Sequence, residues 1–271
     1  MSDTNKPIDP KHKKLLLSRG KGYGRDYEPF IKVHELSSQG ESVRIRSATV
    51  GRIHHLLSGI ELHAFLIFDQ YQQTVDIREQ FPIDVEDTLE LCSQLGIRHP
   101  QVRGKLTVVT TDLLIDFADG TKLAIAVKQS SELVKPRVIE KLQIEKSYWE
   151  ARNIQWKVFT EREVSDANRE NLLWIQPFLS EENSLHHQIS VDDIQALLNR
   201  ISEYPHKKIT RLCANLDDIY GVEPGYHLTT LRYAIAKRFI CGQMNKPFHS
   251  WTYEDLKIRN VQLTGVSHNA S

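Results

Sequence analysis

The sequence predicts an α/β fold: a mixed β-sheet flanked by helices over residues 1–164, followed by a mainly helical domain over residues 165–271. Three observations carry this expectation. Residues 107–128 read as two apolar strands joined by Asp119-Gly120, the strongest short signal for a tight hairpin turn. Up to about Val164, helical and strand-like stretches alternate in the way that packs a sheet beneath helices. Beyond Val164 helical patterns dominate, punctuated by Pro177, Pro205 and Pro224.

The 271 residues carry 35 basic and 35 acidic side chains, a formal net charge of zero. That balance excludes coating nucleic acid by bulk charge but leaves local patches open, so tight placement on DNA would need a partner. Cys92, Cys213 and Cys241 lie far apart with neither CxxC nor finger spacing, so reduced, buried thiols are expected rather than a disulfide framework or zinc ribbon. The chain opens without an apolar signal core, and no run approaches about 18 apolar residues, which predicts a cytoplasmic protein with no membrane association.

In chain order, residues 1–33 begin polar. Lys11-His12-Lys13-Lys14 and Arg19-Gly20-Lys21-Gly22-Tyr23-Gly24-Arg25 suit either a phosphate backbone or a solvated tail, with the tail favoured for the first ten residues. Short strands are expected at 30–33 and 43–45. Ser58 followed by Glu61 fits a capping box for a helix that runs to about Gln70. Glu61 also precedes Phe65 and Phe68 by one and two turns, on a face that must be partly buried, so a first-turn carboxylate there can cap its helix and still point into a site. Residues 75–81 alternate as a strand stopped by Pro82, with Val75, Ile77, Glu79 and Phe81 on one face. Glu79 there either orients a catalytic lysine or pairs with an arginine at the core edge, and the structural role is favoured. A helix over 84–95 closes on Gly96. The basic loop 97–105, with Arg98, His99, Arg103 and Lys105, is a phosphate site or an ordinary surface loop.

A further helix runs from Pro136 to about Arg152. Its apolar stripe of Val138, Leu142 and Trp149 encloses Glu145, which needs an explanation, whereas Glu140 faces solvent. Residues 155–160 form another strand. The second domain is expected to hold helices at 168–179, 191–204, 209–220 and 229–240. In the last, Leu228, Leu231, Ile235 and Phe239 make an apolar stripe that leaves Arg232 and Arg238 outward, suiting a DNA groove or, preferably, a docking partner. His54-His55 side chains point apart and read as structural or DNA-facing. His186-His187 reads as a solvated loop, and Trp149, Trp156, Trp174 and Trp251 as core or interface.

The hairpin places Asp112 and Lys128 on neighbouring strands, each embedded in apolar sequence, an arrangement that is costly without a partner or a task. Two readings are open: a structural ion pair, or metal-dependent phosphodiester cleavage. The second requires carboxylates to hold a divalent cation, water of lowered pKa, and a positive group facing the charge of the transition state. Glu61 and Asp112 are the candidate metal ligands, with the Val127 backbone carbonyl as a further hard oxygen. Lys128 is the candidate cation, and Glu145 and Glu79 stand second to these.

This spacing resembles the restriction-endonuclease superfamily, whose loose motif is an acid, then an acid or Gln, any residue, and Lys. A wider resemblance is carried by Gly51-Arg52-Ile53-His54-His55-Leu56-Leu57-Ser58, Asp76-Ile77-Arg78-Glu79-Gln80-Phe81-Pro82, Ile97-Arg98-His99-Pro100, Thr111-Asp112-Leu113-Leu114, and Glu140-Lys141-Leu142 through Tyr148-Trp149. These stretches are similar to TnsA, the endonuclease subunit family of heteromeric cut-and-paste transposases, across most of residues 20–165 and in the family's order. The resemblance implies a restriction-endonuclease-like catalytic domain over 1–164 and a mainly helical, in one version winged-helix-like, partner-binding domain over 165–271. It carries the family's catalytic residues onto Glu61, Asp112 and Lys128, and an additional helix glutamate onto Glu145. It further implies Mg2+ as cofactor, with Mn2+ able to substitute, and double-stranded DNA at transposon ends as substrate, nicked at the 5′ ends of the element. The implied partners are a TnsB-like subunit that cuts and joins the 3′ ends and a TnsC-like ATPase bound through the C-terminal domain, all in a bacterial cytoplasm. One departure stands out: Ala126 occupies the position two before Lys128, where the family usually has a polar residue, so any metal contact there must come from backbone or water. Two rivals remain. One is a stand-alone repair or junction nuclease. The other is a non-catalytic, DNA-associated adaptor, for which Ala126 is the best support.

Overall fold

In the computed structural model, which describes residues 6–35, 41–179 and 189–259, the predicted hairpin is the middle of a four-stranded mixed sheet. His186-His187 lies outside the described residues. The chain divides into two compact units, Met1–Val164 and Ser165–Ser271.

The first unit runs α1 (Pro10–Leu15), β1 (Val43–Arg46), β2 (Ile53–Leu56), α2 (Gly59–Asp69), β3 (Thr74–Pro82), α3 (Val85–Leu95), β4 (Gln101–Val102), β5 (Lys105–Leu106), β6 (Thr110–Phe117), β7 (Lys122–Val127), α4 (Pro136–Glu150) and β8 (Gln155–Phe159). The sheet order is β3-β6-β7-β8. β6 pairs antiparallel with both β3 and β7, while β8 returns through α4 to lie parallel to β7. A parallel return requires a crossover of a dozen residues or more, and α4 supplies it. Helix α2 covers β3, β6 and β7, and α4 packs on α3 and β8. Both sheet faces are thus covered, which is why β6 and β7 read as nearly continuous apolar runs.

Several expectations need correction. Residues 30–33 form no strand. The buried Phe30 donates its N–H to the Gln80 carbonyl (3.3 Å), and Glu35 draws Val33–Glu35 into a short 3-10 turn by accepting from Lys32 N–H (3.0 Å) and Arg19 Nη1 (2.5 Å). The start of the chain is not all solvated tail: Asp9 caps α1 by accepting from Lys11 and His12 N–H, and Ile8, Leu15 and Leu16 pack on Phe30, Leu106 and Val108. The strand β2 was not expected, and neither was the β4–β5 ribbon, which turns at Arg103-Gly104 with both residues at positive φ (49° and 78°). His99 in that basic segment is fully buried, with its ring nitrogens 3.0 Å from Thr88 Oγ1 and 2.9 Å from the Pro100 carbonyl, so it serves the core and not a phosphate. In β3 the predicted single face fails at its start. The register shifts between Thr74 and Asp76, so Val75 is exposed while Ile77 and Glu79 are buried.

The second unit comprises α5 (Asp166–Ile175), α6 (Val191–Ser202), α7 (Ile209–Tyr220), α8 (Tyr226–Ala236) and an antiparallel ribbon of β9 (Ile240–Gly242) with β10 (Leu256–Ile258). Its core gathers Leu197, Ile201, Ile209, Cys213, Leu231 and Ala234 around the buried Trp251. Asp217 fixes the start of α8 by accepting from the N–H groups of Gly225 (2.6 Å) and His227 (3.0 Å). Arg232 does not face outward. Its guanidinium lies over the Trp174 and Phe178 rings and donates to the Trp174 carbonyl, whereas Arg238 lies just past the end of α8 and is half exposed. Trp149 and Trp251 are buried, as expected of core residues, and the cysteines form no disulfide among the described residues. Within that range, no helix is long and apolar enough to cross a membrane.

Gly242 carries the closest approach in this unit: a Cβ there would stand 2.3 Å from the Trp251 ring. Gly242→Ala is expected to cost about 1–3 kcal/mol, the usual penalty for overpacking a filled core. A lowered unfolding temperature of the full chain, followed by Trp fluorescence, checks it.

Candidate active site

The site forms where the central hairpin comes apart. The β6–β7 ladder ends at Leu113↔Ile125. One step further, Asp112 Oδ2, not a backbone carbonyl, accepts the Val127 N–H at 2.6 Å. The same oxygen lies 3.1 Å from Lys128 Nζ, and Lys128 Nζ also donates to the Val127 carbonyl at 2.6 Å. Asp112 and Lys128 are thereby side by side. The Val127 carbonyl, a predicted metal ligand, is here occupied by the lysine.

Glu61 arrives from the first turn of α2. Ser58 Oγ accepts the Glu61 N–H (3.1 Å), half of the expected capping box. The other half differs: Glu61 Oε2 accepts from Leu57 N–H at 2.9 Å, while Oε1 takes the Ser58 hydroxyl at 3.3 Å, so the carboxylate is aimed by the chain that enters the helix. Gln80 links the two acids. Its Nε2 lies 3.4 Å from Glu61 Oε2 and 3.4 Å from Asp112 Oδ1. Glu61, Asp112 and Lys128 therefore share one small pocket, although they are scattered along the sequence.

Glu145 projects from α4 into the protein next to Thr111 and Trp156, and its Oε1 has no hydrogen-bond partner. Burial, joined by the Asp112 charge, pushes the Glu145 carboxyl up to about 8, and the same two causes push Glu61 to about 8. Burial disfavours the Lys128 ammonium, but Asp112, Glu145 and Glu61 outweigh it and raise its pKa. The site thus gathers three acids around one lysine, and without a cation Glu61 and Glu145 hold their protons to about pH 8. Its donors are hard oxygens, and one buried carboxylate oxygen is orphaned. That chemistry fits a divalent cation held by Glu61 and Asp112, although among the described residues no three His, Cys, Asp or Glu side chains converge to hold a metal by themselves.

Glu79 belongs elsewhere. Its carboxylate takes Arg52 Nη1 (2.9 Å) and Nη2 (2.5 Å), lies 2.9 Å from His54 Nδ1 and accepts the His55 N–H (3.0 Å). Burial alone would raise its pKa, but His54 and Arg52 reverse the effect and lower it. The favoured structural role describes this geometry, and it also explains His54, which locks β2 onto β3.

The comparisons with known proteins fit this geometry. Residues 71–161 match the family described as TnsA-like endonuclease N terminal, and residues 163–244 match TnsA endonuclease C terminal. The chain is 36% identical over 251 residues to the Escherichia coli transposon Tn7 transposition protein TnsA, covering 92% of this chain and 91% of that one.

The chain belongs to the TnsA endonuclease family. As a TnsA-like endonuclease, it is an endonuclease subunit of Tn7-like transposition, and this favours the transposition reading over the stand-alone nuclease and the adaptor. Reading the sequence missed Gln80. It is polar and adjoins Glu79 in a strand buried on both faces, but only the β3–β6 register sets it opposite Asp112.

A titration follows for the TnsA-family chain without metal. Both Glu61 and Glu145 sit near 8 in the folded state against an ordinary 4.5, so the folded chain holds protons that the unfolded chain releases. The contribution of these two groups to stability is full below about 4.5 and is lost as pH rises through about 8. The unfolding temperature is expected to fall by at least roughly 5 °C between about pH 5 and pH 8, with a shallower slope in Glu145→Gln. A flat profile in calorimetric scans across that range contradicts it.

Proposed function

We propose that this chain is the metal-dependent nuclease that cuts the 5′ ends of a mobile element, with Glu61, Asp112 and Lys128 as its catalytic residues. The convergence of two carboxylates on one Gln80 amide beside a lysine carries the reading. Glu61, Asp112 and the Val127 carbonyl, which now accepts from Lys128, would hold Mg2+, or Mn2+ in its place. Bound there, the cation supplies Lewis acidity toward the scissile phosphate and a lowered pKa for the attacking water. Lys128, kept charged by the surrounding acids, faces the negative charge that builds on the phosphate. Asp112 positions Lys128 and the Val127 N–H together, and Glu145 holds a negative charge or a proton behind them.

Zero net charge suits a subunit placed on transposon-end DNA by others. A TnsB-like subunit then cuts the 3′ ends, and a TnsC-like ATPase docks on residues 165–271. The test is a cleavage assay with transposon-end DNA and Mg2+, with and without those partners. Nicks at the 5′ ends are expected in the full mixture and are lost with a chelator. Comparable cutting of branched DNA by the chain alone supports a stand-alone nuclease instead.

A further inference from the structure

Gln80 is only 2% exposed and stands in β3 directly opposite Asp112. Its φ is +48°, in the left-handed region, although it lies within a strand. A non-glycine residue holds that conformation at a cost of about 1–3 kcal/mol and does so where the surroundings demand it. Here the demand is local: the Gln80 carbonyl accepts the Phe30 N–H at 3.3 Å, while the side chain is delivered between Glu61 and Asp112. The carboxamide has one further partner, the Thr110 hydroxyl, which donates to Oε1 at 3.3 Å.

That partner set permits two orientations. With Nε2 toward the acids, the amide donates to Glu61 Oε2 and Asp112 Oδ1. Half a turn about the last side-chain bond presents Oε1 to the same place, and the Thr110 hydroxyl, which both donates and accepts, then accepts from Nε2. Without a cation the first orientation is the one observed, and the second would set an acceptor against the Asp112 carboxylate. With a cation it adds a neutral oxygen of the kind that divalent ions take from Asn and Gln. Ala126, two positions before Lys128 in β7, is fully buried and offers only a methyl group.

We infer that Gln80 is a further oxygen ligand of the metal site, beside Glu61, Asp112 and the Val127 carbonyl, with its carboxamide oxygen in place of its amide toward a divalent cation, and that it supplies from β3 the polar group that Ala126 does not supply from β7. This rests on the reading of Glu61 and Asp112 as metal ligands.

The experiment is Mn2+ binding to the full-length protein, followed by titration calorimetry and by loss of the free-ion electron paramagnetic resonance signal. The variants are Gln80→Gly, Gln80→Leu, Gln80→Glu and Asp112→Ala. Gln80→Gly suits a positive φ and removes the amide, so it separates ligation from folding if Gln80→Leu proves unstable. Wild type is expected to bind, Asp112→Ala to lose binding, Gln80→Gly and Gln80→Leu to weaken it at least about tenfold, and Gln80→Glu to retain or strengthen it. Wild-type binding that needs Asp112 but is unchanged in Gln80→Gly overturns the ligand role of Gln80 alone. No Mn2+ binding by wild type, or undiminished binding by Asp112→Ala, overturns the Glu61–Asp112 site and this inference with it.

Discussion

Asp112→Ala should reduce strand cleavage by on the order of 10³-fold or more while leaving a folded chain. Asp112 is the side chain that ties the lysine to the rest of the site. Its carboxylate meets Lys128 Nζ, the Val127 N–H and the Gln80 amide, so its removal takes away a proposed metal ligand and unfastens the lysine in one step. The fold should survive because the residue sits beyond the last bonded pair of the β6–β7 ladder, where the strands already separate. The structural loss is mainly one unsatisfied N–H at Val127, worth about 1–3 kcal/mol. Asp112→Asn can still accept that N–H and is expected to melt close to wild type while remaining inactive. The measurement pairs 5′-end cleavage in the reconstituted system with circular dichroism and thermal melting of each variant. A well-folded Asp112→Ala protein that cuts at the wild-type rate removes Asp112 from the chemistry.

Glu79→Ala should produce the largest loss of stability, about 3–5 kcal/mol, because it strands a buried positive charge. Arg52 is 8% exposed and directs both terminal nitrogens at Glu79, with Nη2 also reaching the Ile77 carbonyl at 2.7 Å. Its guanidinium lies 5.1 Å over the Tyr27 ring, which cannot replace a carboxylate. Removing Glu79 also frees His54 and the His55 N–H, so β2 loses its tie to β3. Glu79→Gln keeps part of the hydrogen bonding and should cost less. Because the folded pKa of Glu79 is lowered, its contribution is complete above the ordinary value of 4.5 and fades as pH falls below it. Urea unfolding of wild type and Glu79→Gln near neutrality and near pH 4 checks both points: the gap between them should narrow in acid. A Glu79→Ala protein as stable as wild type denies the network any structural weight.

The elements most legible in the sequence are those whose signal is local. The Asp119-Gly120 turn, the Ser58 cap, the Gly96 terminator and the Pro136 helix start are each set by a few neighbouring residues, and each marks an observed boundary. Placing Glu61, Asp112 and Lys128 together needed the family resemblance, since nothing in the spacing of the chain relates α2 to the β6–β7 end. What stayed illegible depends on long-range pairing. Phe30 resembles a strand residue until its N–H is spent on Gln80. His99 looks like part of a basic surface loop until Thr88 and the Pro100 carbonyl take its ring. Arg232 falls on the outer side of a helical wheel, but Trp174 and Phe178 close over it. Gln80 is the sharpest case, because its importance comes from a left-handed kink and a register that no short window of sequence encodes.

The bond from Lys128 Nζ to the carbonyl of its own neighbour, Val127, has a consequence for how the pocket can change state. That oxygen can serve the ammonium or an incoming ion, not both in the same direction. An ion held at that oxygen would therefore displace the ammonium, trading one positive charge for two. Loading the ion and arming the lysine would then be a single event.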